Sequence, residues 1–259
     1  MSTPTYEHII LDIDGPIARL TMNRPERMNS MTNRMLHETT EALEHVAGLT
    51  AVRILVLTGA GRAFCPGADL QGVTAGTDDV KLTIDDFQAP VLLREMPAVT
   101  VALVNGACAG AGFGWACACD LRIATRSAKF NTAFLDVGVA GDMAGPWTLA
   151  RLVGAGKARE LYFIPDKFSA DEAQRIGLVA RVFDDDVFVE ESAAIVDRLA
   201  AASPAALRTM KANFQDSELL SMAEFSRLES ERHMEIFKNP DTLEAFRAKV
   251  GKRAPKWQS

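Results

Sequence analysis

VNGACAGAGFG, residues 104–114, is the most informative stretch of this chain, because glycine occupies every second position from 110 to 114. An apolar run at residues 99–104 leads into it, and a second apolar run, WACAC at residues 115–119, follows it. The pattern predicts a buried strand, a tight turn and a short buried helix. Glycine admits φ > 0 and lets other groups approach the main chain, and the first N–H groups of a helix carry partial positive charge. We therefore expect a site built from main-chain groups that receives negative charge on a ligand.

A second loop has the same setting. FCPGAD, residues 64–69, comes shortly after the apolar run at residues 54–57, which predicts a buried strand. If the two strands are neighbours, both loops lie at one edge of the sheet, where ligands of α/β proteins usually bind. One amide from each loop would then bind a single oxygen, as in an oxyanion hole. The alternative is that the glycines only permit tight packing of a helix on the sheet.

Other catalytic sites find little support in the sequence. The three glycines give G-x-G-x-G rather than the G-x-G-x-x-G of a dinucleotide site, which argues against a NAD-dependent oxidoreductase. Neither Gly-Lys-Ser/Thr nor Gly-x-Ser-x-Gly occurs, which argues against a phosphate loop and a serine hydrolase. Cys117 and Cys119 have no histidine nearby in the sequence, so we expect no metal site.

The composition is that of an ordinary globular protein. The 259 residues are 48% hydrophobic and 24% charged, with a formal net charge of -6, which argues against a nucleic-acid-binding protein. No apolar run approaches the roughly 18 residues of a membrane span, and residues 1–7 lack the pattern of a signal peptide. With four cysteines in no disulfide spacing, the expected location is the cytoplasm.

The order of predicted elements is a β/α core followed by helices. Residues 8–22 predict a hairpin, and residues 31–46 predict a helix with Ser30 as its N-cap. We assign residues 1–200 to the core and residues 201–259 to a C-terminal helical region. The later helices are predicted at residues 186–202, 205–215, 221–237 and 241–250.

The two loops together resemble the enoyl-CoA hydratase/isomerase (crotonase) superfamily. The similarity also includes NRPERMN at residues 23–29, ADEA at 170–173 and IGLV at 176–179, in the family's order. It implies an α/β fold, a spiral of ββα units whose C-terminal helices form a homo-trimer, often stacked as a hexamer. It further implies a coenzyme A thioester as substrate, without a metal or redox cofactor.

The resemblance also implies roles for individual residues. By position, the backbone N–H groups of Ala68 and Ala111 would bind the thioester oxygen. The residues expected to bind coenzyme A are Arg27, Ala63, Phe64, Gly67 and Asp69. The residues expected to shape an acyl pocket are Phe113, Gly114, Phe134 and Trp147, with core packing as the alternative role for the aromatic ones.

The chain departs from the hydratases of the superfamily at both catalytic glutamates, whose positions are occupied by Gly114 and Phe134. Asp142 falls where some isomerases and dehalogenases of the superfamily carry a catalytic aspartate. In an apolar pocket it would have a raised pKa and transfer protons; the alternative is an N-cap for the following helix. Asp86 and Glu95 are candidates for a second acid.

The expected function is therefore isomerisation, hydrolysis or C–C cleavage of an acyl-CoA rather than simple hydration. The alternative is a crotonase homologue that binds acyl-CoA without catalysis.

Overall fold

The computed structural model describes residues 4–76 and 80–257. Its larger sheet has six strands in the order β1-β2-β3-β5-β7-β10. These are β1 (Ile9–Asp14), β2 (Ile17–Met22), β3 (Ile54–Gly59), β5 (Val99–Val104), β7 (Leu121–Thr125) and β10 (Arg181–Phe183). Only β1 and β2 pair antiparallel, as the predicted hairpin requires, and the other neighbours are parallel.

A second, smaller sheet is built from short strands, most of which directly follow a strand of the larger sheet along the chain. It has the order β4-β6-β8-β9, with β4 (Ala63–Cys65), β6 (Ala107–Ala109), β8 (Lys129–Asn131) and β9 (Phe168–Ser169). The strands β3, β5 and β7 of the larger sheet are each followed by a strand of the smaller one. This repetition is the spiral of β-strand pairs and helices that the sequence predicted, and the α/β fold class is confirmed.

The helices fill the spaces around the two sheets. They are α1 (Asn33–Ala47), α2 (Leu70–Ala75), α3 (Ala89–Glu95), α4 (Gly110–Ala118), α5 (Gly145–Val153), α6 (Ala155–Phe163), α7 (Ala170–Arg175), α8 (Phe188–Ala200), α9 (Pro204–Ser217), α10 (Met222–Lys238) and α11 (Pro240–Val250). The N-cap of α1 is Thr32, whose hydroxyl accepts from the Met35 N–H, so the prediction of Ser30 was wrong. The Ser30 carbonyl instead accepts a hydrogen bond from Arg24.

The central strands of the larger sheet are buried on both faces. In β3, Leu55 and Leu57 point to the main core with α1, whereas Ile54 and Val56 point to a second cluster completed by α8. Side chains of a strand alternate between the faces of its sheet, so a run of four apolar residues fits a strand that is covered on both sides.

Helix α9 is fixed to the core by a buried lysine. Lys211 Nζ lies 2.9 Å from Asp120 Oδ2 and donates to the carbonyls of Leu93 and Ala98 at 3.2 and 2.8 Å. Asp120 also accepts from the Thr100 N–H at 2.7 Å. The first helix of the C-terminal region is thus joined to the entry of β5 and the exit of α4.

Candidate active site

The two glycine loops meet at the edge of the smaller sheet. Strands β4 and β6 pair in parallel, with Ala63 opposite Ala107 and Cys65 opposite Cys108. Beyond these strands, Gly67 and Gly110 have φ of +102° and +52° and lie against each other. A Cβ built on Gly67 would be 3.3 Å from the Ala109 carbonyl oxygen and 3.5 Å from the Gly110 Cα. The close approach of the two main chains therefore depends on both residues lacking a side chain.

This contact places Ala68 and Ala111 on adjacent loops, since each residue directly follows one of the touching glycines. Ala111 is the second residue of α4, where N–H groups have no acceptor inside the helix. Ala68 forms a parallel bridge with Met31, in which the Gly67 carbonyl and the Asp69 N–H make the bonds. Neither amide has an acceptor within residues 4–76 and 80–257. Two free donors on adjacent loops are the arrangement that an oxyanion requires.

A third glycine lets α4 sit directly on the first loop. A Cβ built on Gly112 would be 2.5 Å from both the Cβ and the carbonyl oxygen of Cys65. Burial raises the pKa of the Cys65 thiol to about 12, so this cysteine is a neutral filler beneath the loop.

Gly114 and Phe134 are both closely packed. Gly114 lies one helical turn after Ala111, and a Cβ built there would be 2.5 Å from the Met143 Cβ. Phe134 is 7% exposed and stacks on Tyr162, with ring centroids 6.1 Å apart and planes 9° apart. Met143 and an aromatic pair thus fill the space beside these two residues.

Asp142 begins a tight turn beside this space. Its carbonyl accepts from the Gly145 N–H at 3.2 Å, and the central residues, Met143 and Ala144, have φ of 52° and 53°. Left-handed angles at two successive residues that are not glycine store strain, which proteins keep mainly at functional sites. Because Met143 packs on Gly114, the turn holds Asp142 next to the first turns of α4.

The carboxyl group of Asp142 is not used by the fold. Helix α5 has Ala144 as its N-cap and receives no side-chain hydrogen bond there, so the N-cap role for Asp142 is excluded. The Oδ1 atom is closed off from solvent and has no hydrogen-bond partner among the described residues. Burial raises the pKa of Asp142 above its ordinary value. The hydrogen bond from its own backbone N–H opposes this rise in pKa. A half-buried carboxyl with one buried, unpartnered oxygen fits a group that exchanges protons with a ligand.

The strain in this turn gives a stability prediction. Ala144→Gly is expected to raise the free energy of unfolding by about 0.5–1 kcal/mol, because glycine adopts φ of 53° without a Cβ penalty. Urea unfolding measures the change. Ala140→Gly is the matched control, since Ala140 lies on the same exposed segment without a left-handed φ, and it is expected to lose stability. Equal effects of the two substitutions would contradict the assignment of strain to the turn.

The residues predicted to bind coenzyme A have different surroundings. Ala63 and Phe64 are fully buried in β4. Asp69 caps α2 by accepting from the Gly72 N–H at 3.1 Å and pairs with Arg24 at 3.0 Å. Although burial opposes it, these partners hold the pKa of Asp69 below its ordinary value. Arg27 is exposed and donates to Gln71 Oε1 at 2.7 Å, which leaves its guanidinium at the surface near the first loop.

Arg24 orders the first loop, a role that the sequence did not reveal. Its guanidinium donates to the Ser30 carbonyl at 2.7 Å and to Asp69, and so ties the segment after β2 to the first loop. A buried aspartate such as Asp69 needs a cation or several donors, and an arginine in the neighbouring NRPERMN motif was the available signal.

Phe113 and Trp147, two of the aromatic residues predicted to shape an acyl pocket, have different surroundings. Phe113 is fully buried in the core, edge-on to Phe130 and Phe168 at 6.4 and 6.3 Å between ring centroids. Trp147 is stacked between Arg151 and Arg94, whose guanidinium carbons lie 3.6 and 4.7 Å from its ring centroid. It lines a cavity of about 420 Å³ beside Cys117 and Cys119, at the opposite end of α4 from Ala111. The Phe113 ring therefore packs in the core, and Trp147 lies at the end of α4 remote from the two glycine loops.

Asp86 and Glu95, the candidates for a second acid, have different surroundings. Asp86 is 4% exposed and accepts from the Thr83 N–H at 2.6 Å and bonds His37 Nδ1 at 2.8 Å, which is a structural role. Glu95 is exposed at the end of α3.

Within residues 4–76 and 80–257, no group of three or more metal-ligating side chains is placed to hold an ion. Of the described helices, none is both long and apolar enough to span a bilayer.

Comparisons with known proteins agree with this geometry. The family model described as enoyl-CoA hydratase/isomerase matches residues 12–259. A 1,2-epoxyphenylacetyl-CoA isomerase of Escherichia coli (strain K12) is 32% identical over 257 residues, covering 97% of this chain and 98% of its own length. The crystal structure of an enoyl-CoA hydratase from Bacillus anthracis superimposes with a TM-score of 0.88 at 26% identity, covering 97% of this chain and 99% of that one. A Thermobifida fusca YX protein solved in complex with acetoacetyl-CoA has a TM-score of 0.82 at 32% identity, covering 92% of this chain and 99% of that one.

Proposed function

Because the chain belongs to the enoyl-CoA hydratase/isomerase family, we propose that it isomerises a double bond in an acyl-CoA thioester, using Asp142 as its only proton-transfer group. The amides of Ala68 and Ala111 bind the thioester oxygen. The observation that carries the proposal is the half-buried Asp142 carboxyl, whose Oδ1 atom is closed off from solvent and has no hydrogen-bond partner among the described residues. The resemblance adds that Gly114 and Phe134 stand at the glutamate positions of hydratases.

The proposed reaction needs one base and one oxyanion site. Ionised Asp142 removes a proton from an acyl carbon whose electron pair can delocalise into the thioester carbonyl. The electron pair moves onto the thioester oxygen. The two amides stabilise the resulting enolate. The Asp142 carboxylic acid exchanges its proton with solvent and then delivers a proton to another carbon, so that substrate and product are isomers. Hydration would need a second group to activate water.

Other features of the proposal follow from this chemistry. Coenzyme A enters only as part of the substrate, and proton transfer through an enolate calls for no metal or redox cofactor. We also propose a homo-trimer or hexamer. Its support is a set of exposed apolar side chains on α9, α10 and α11, namely Met210, Phe214, Met222, Met234, Phe237 and Phe246. The mass in solution distinguishes the two assemblies.

A panel of CoA thioesters incubated in deuterium oxide tests the function. We expect deuterium to enter the acyl carbons next to the double bond of a substrate, together with a shift of the double bond detected by NMR. Saturated esters of the same length serve as the control for background exchange. Binding of the panel with no exchange at any acyl carbon would overturn the proposal and favour a protein that only binds acyl-CoA.

A further inference from the structure

Tyr162 lies beneath the turn that carries Asp142, and the proposed reaction assigns it no role. Its ring stacks on Phe134 from one side. From the other side it contacts the turn at two glycines. A Cβ built on Gly141 would be 3.4 Å from Tyr162 Cε1, and a Cβ built on Gly145 would overlap the Tyr162 hydroxyl. Helix α6 thus places a phenol directly against the turn that begins at Asp142.

Two polar atoms at this turn are buried without a partner. Tyr162 Oη and Asp142 Oδ1 are both closed off from solvent, and neither has a hydrogen-bond partner among the described residues. Both atoms lie at the turn formed by residues 142–145. Tyr162 Oη touches Gly145, and the Gly145 N–H donates to the Asp142 carbonyl. Unpaired buried polar atoms are rare and cost stability, so two at one turn need an explanation.

The surroundings leave Asp142 dependent on this phenol. The other ionisable groups facing the pair are Cys65, on β4, and Cys117, on α4. Burial raises the pKa of each thiol to about 12, so both are neutral at pH 7. No lysine or arginine in the described ranges forms an ion pair with Asp142. An ionised carboxylate in an apolar site requires hydrogen-bond donors. Its own backbone N–H is one donor, and the Tyr162 phenol is an O–H donor that has no other partner among the described residues.

We propose that the Tyr162 hydroxyl donates a hydrogen bond to the ionised Asp142 carboxylate and is the positioning residue that makes Asp142 an effective base. The inference rests on the proposed role of Asp142 in proton transfer. The unpaired arrangement corresponds to protonated Asp142, and a small rotation at the turn pairs the two groups when the proton leaves. We place this rotation at Met143 and Ala144, whose backbone angles are strained.

Tyr162→Phe tests the inference, because it removes only the hydroxyl and keeps the ring on Phe134. In the free protein, carbon-13 NMR of the aspartate carboxyls follows the titration of Asp142, whose signal is identified by its absence in Asp142→Asn. We expect the midpoint to move to higher pH in Tyr162→Phe. We also expect kcat/KM to fall about 10-fold at the acidic end of the pH profile and less at the alkaline end.

Tyr6→Phe is the matched control, since the chain has only two tyrosines and Tyr6 lies beside Glu38 and Glu41. It should leave both the titration and the profile unchanged. An identical Asp142 midpoint in Tyr162→Phe and the parent protein would overturn the inference, as would a uniform loss of kcat/KM at every pH. Because the NMR titration needs no turnover, it distinguishes this failure from failure of the isomerase proposal.

Discussion

Asp142→Asn is expected to lower kcat by about 10²–10⁴-fold, because the amide cannot accept the proton that the reaction moves. Binding of acyl-CoA should be nearly unchanged, since the oxyanion amides belong to Ala68 and Ala111. The measurement is kcat on the substrate found in the deuterium-exchange panel, together with calorimetric binding of the same ester. The expected result is therefore an intact acyl-CoA-binding protein that no longer exchanges acyl hydrogens.

The same substitution has a predicted effect on stability. Burial raises the pKa of Asp142 in the folded protein, so the stability that this group contributes is present at low pH and lost as pH rises through the folded-state pKa. At pH 7 the Asn variant should thus melt at the same temperature as the parent or higher, which separates a chemical defect from misfolding. Asp136→Asn is the matched control, as Asp136 is exposed on the same segment. Parent-like turnover in Asp142→Asn would remove Asp142 from the mechanism.

Gly114→Ala is expected to lower the free energy of unfolding by about 2 kcal/mol, because the new Cβ would be 2.5 Å from the Met143 Cβ in a packed core. The clash lies with a side chain, so it should be smaller when that side chain is absent. A double-mutant cycle with Met143→Gly therefore tests the contact directly. We expect Gly114→Ala to cost clearly less in the Met143→Gly background than in the parent, by urea unfolding.

Gly156→Ala provides the control for this cycle. Gly156 is in helix α6, and a Cβ built there meets no heavy atom within 4 Å. The substitution should leave stability unchanged or raise it by up to about 1 kcal/mol, through helix propensity. If Gly114→Ala cost the same with and without Met143, the space beside Gly114 would not be set by this side chain, and a glutamate there would be feasible.

Much of the fold was predictable because it depends on local patterns. The apolar runs at β3 and β5 and the glycines after them placed both loops at one edge, and the parallel pairing of β4 with β6 agrees. Helices α10 and α11 lie within two residues of their predicted bounds. That Ala68 and Ala111 bind a thioester oxygen, and that residues 1–200 and 201–259 are separate regions, stay predictions.

The rest depends on contacts between distant residues. Ser30 and Thr32 both carry a cap-forming hydroxyl, and only the bond from Arg24 to the Ser30 carbonyl favours Thr32. Phe113 and Trp147 have the same apolar character whether they line a pocket or a core. The left-handed angles at Met143 and Ala144 have no signal in their residue types, since glycine or asparagine is usual there. The turn that presents Asp142 was therefore beyond prediction.

The buried bond network of Lys211 has a thermodynamic consequence for the whole chain. If α9 detached, the Asp120 carboxylate and the carbonyls of Leu93 and Ala98 would each lose a charged donor inside the protein. The penalty for leaving such groups unpaired is about 3–5 kcal/mol for a buried ion pair, which is comparable with the total stability of many domains. We therefore expect helix α9 to open together with the parallel sheet, and a chain that ended before it would lack the buried cation that pairs with Asp120.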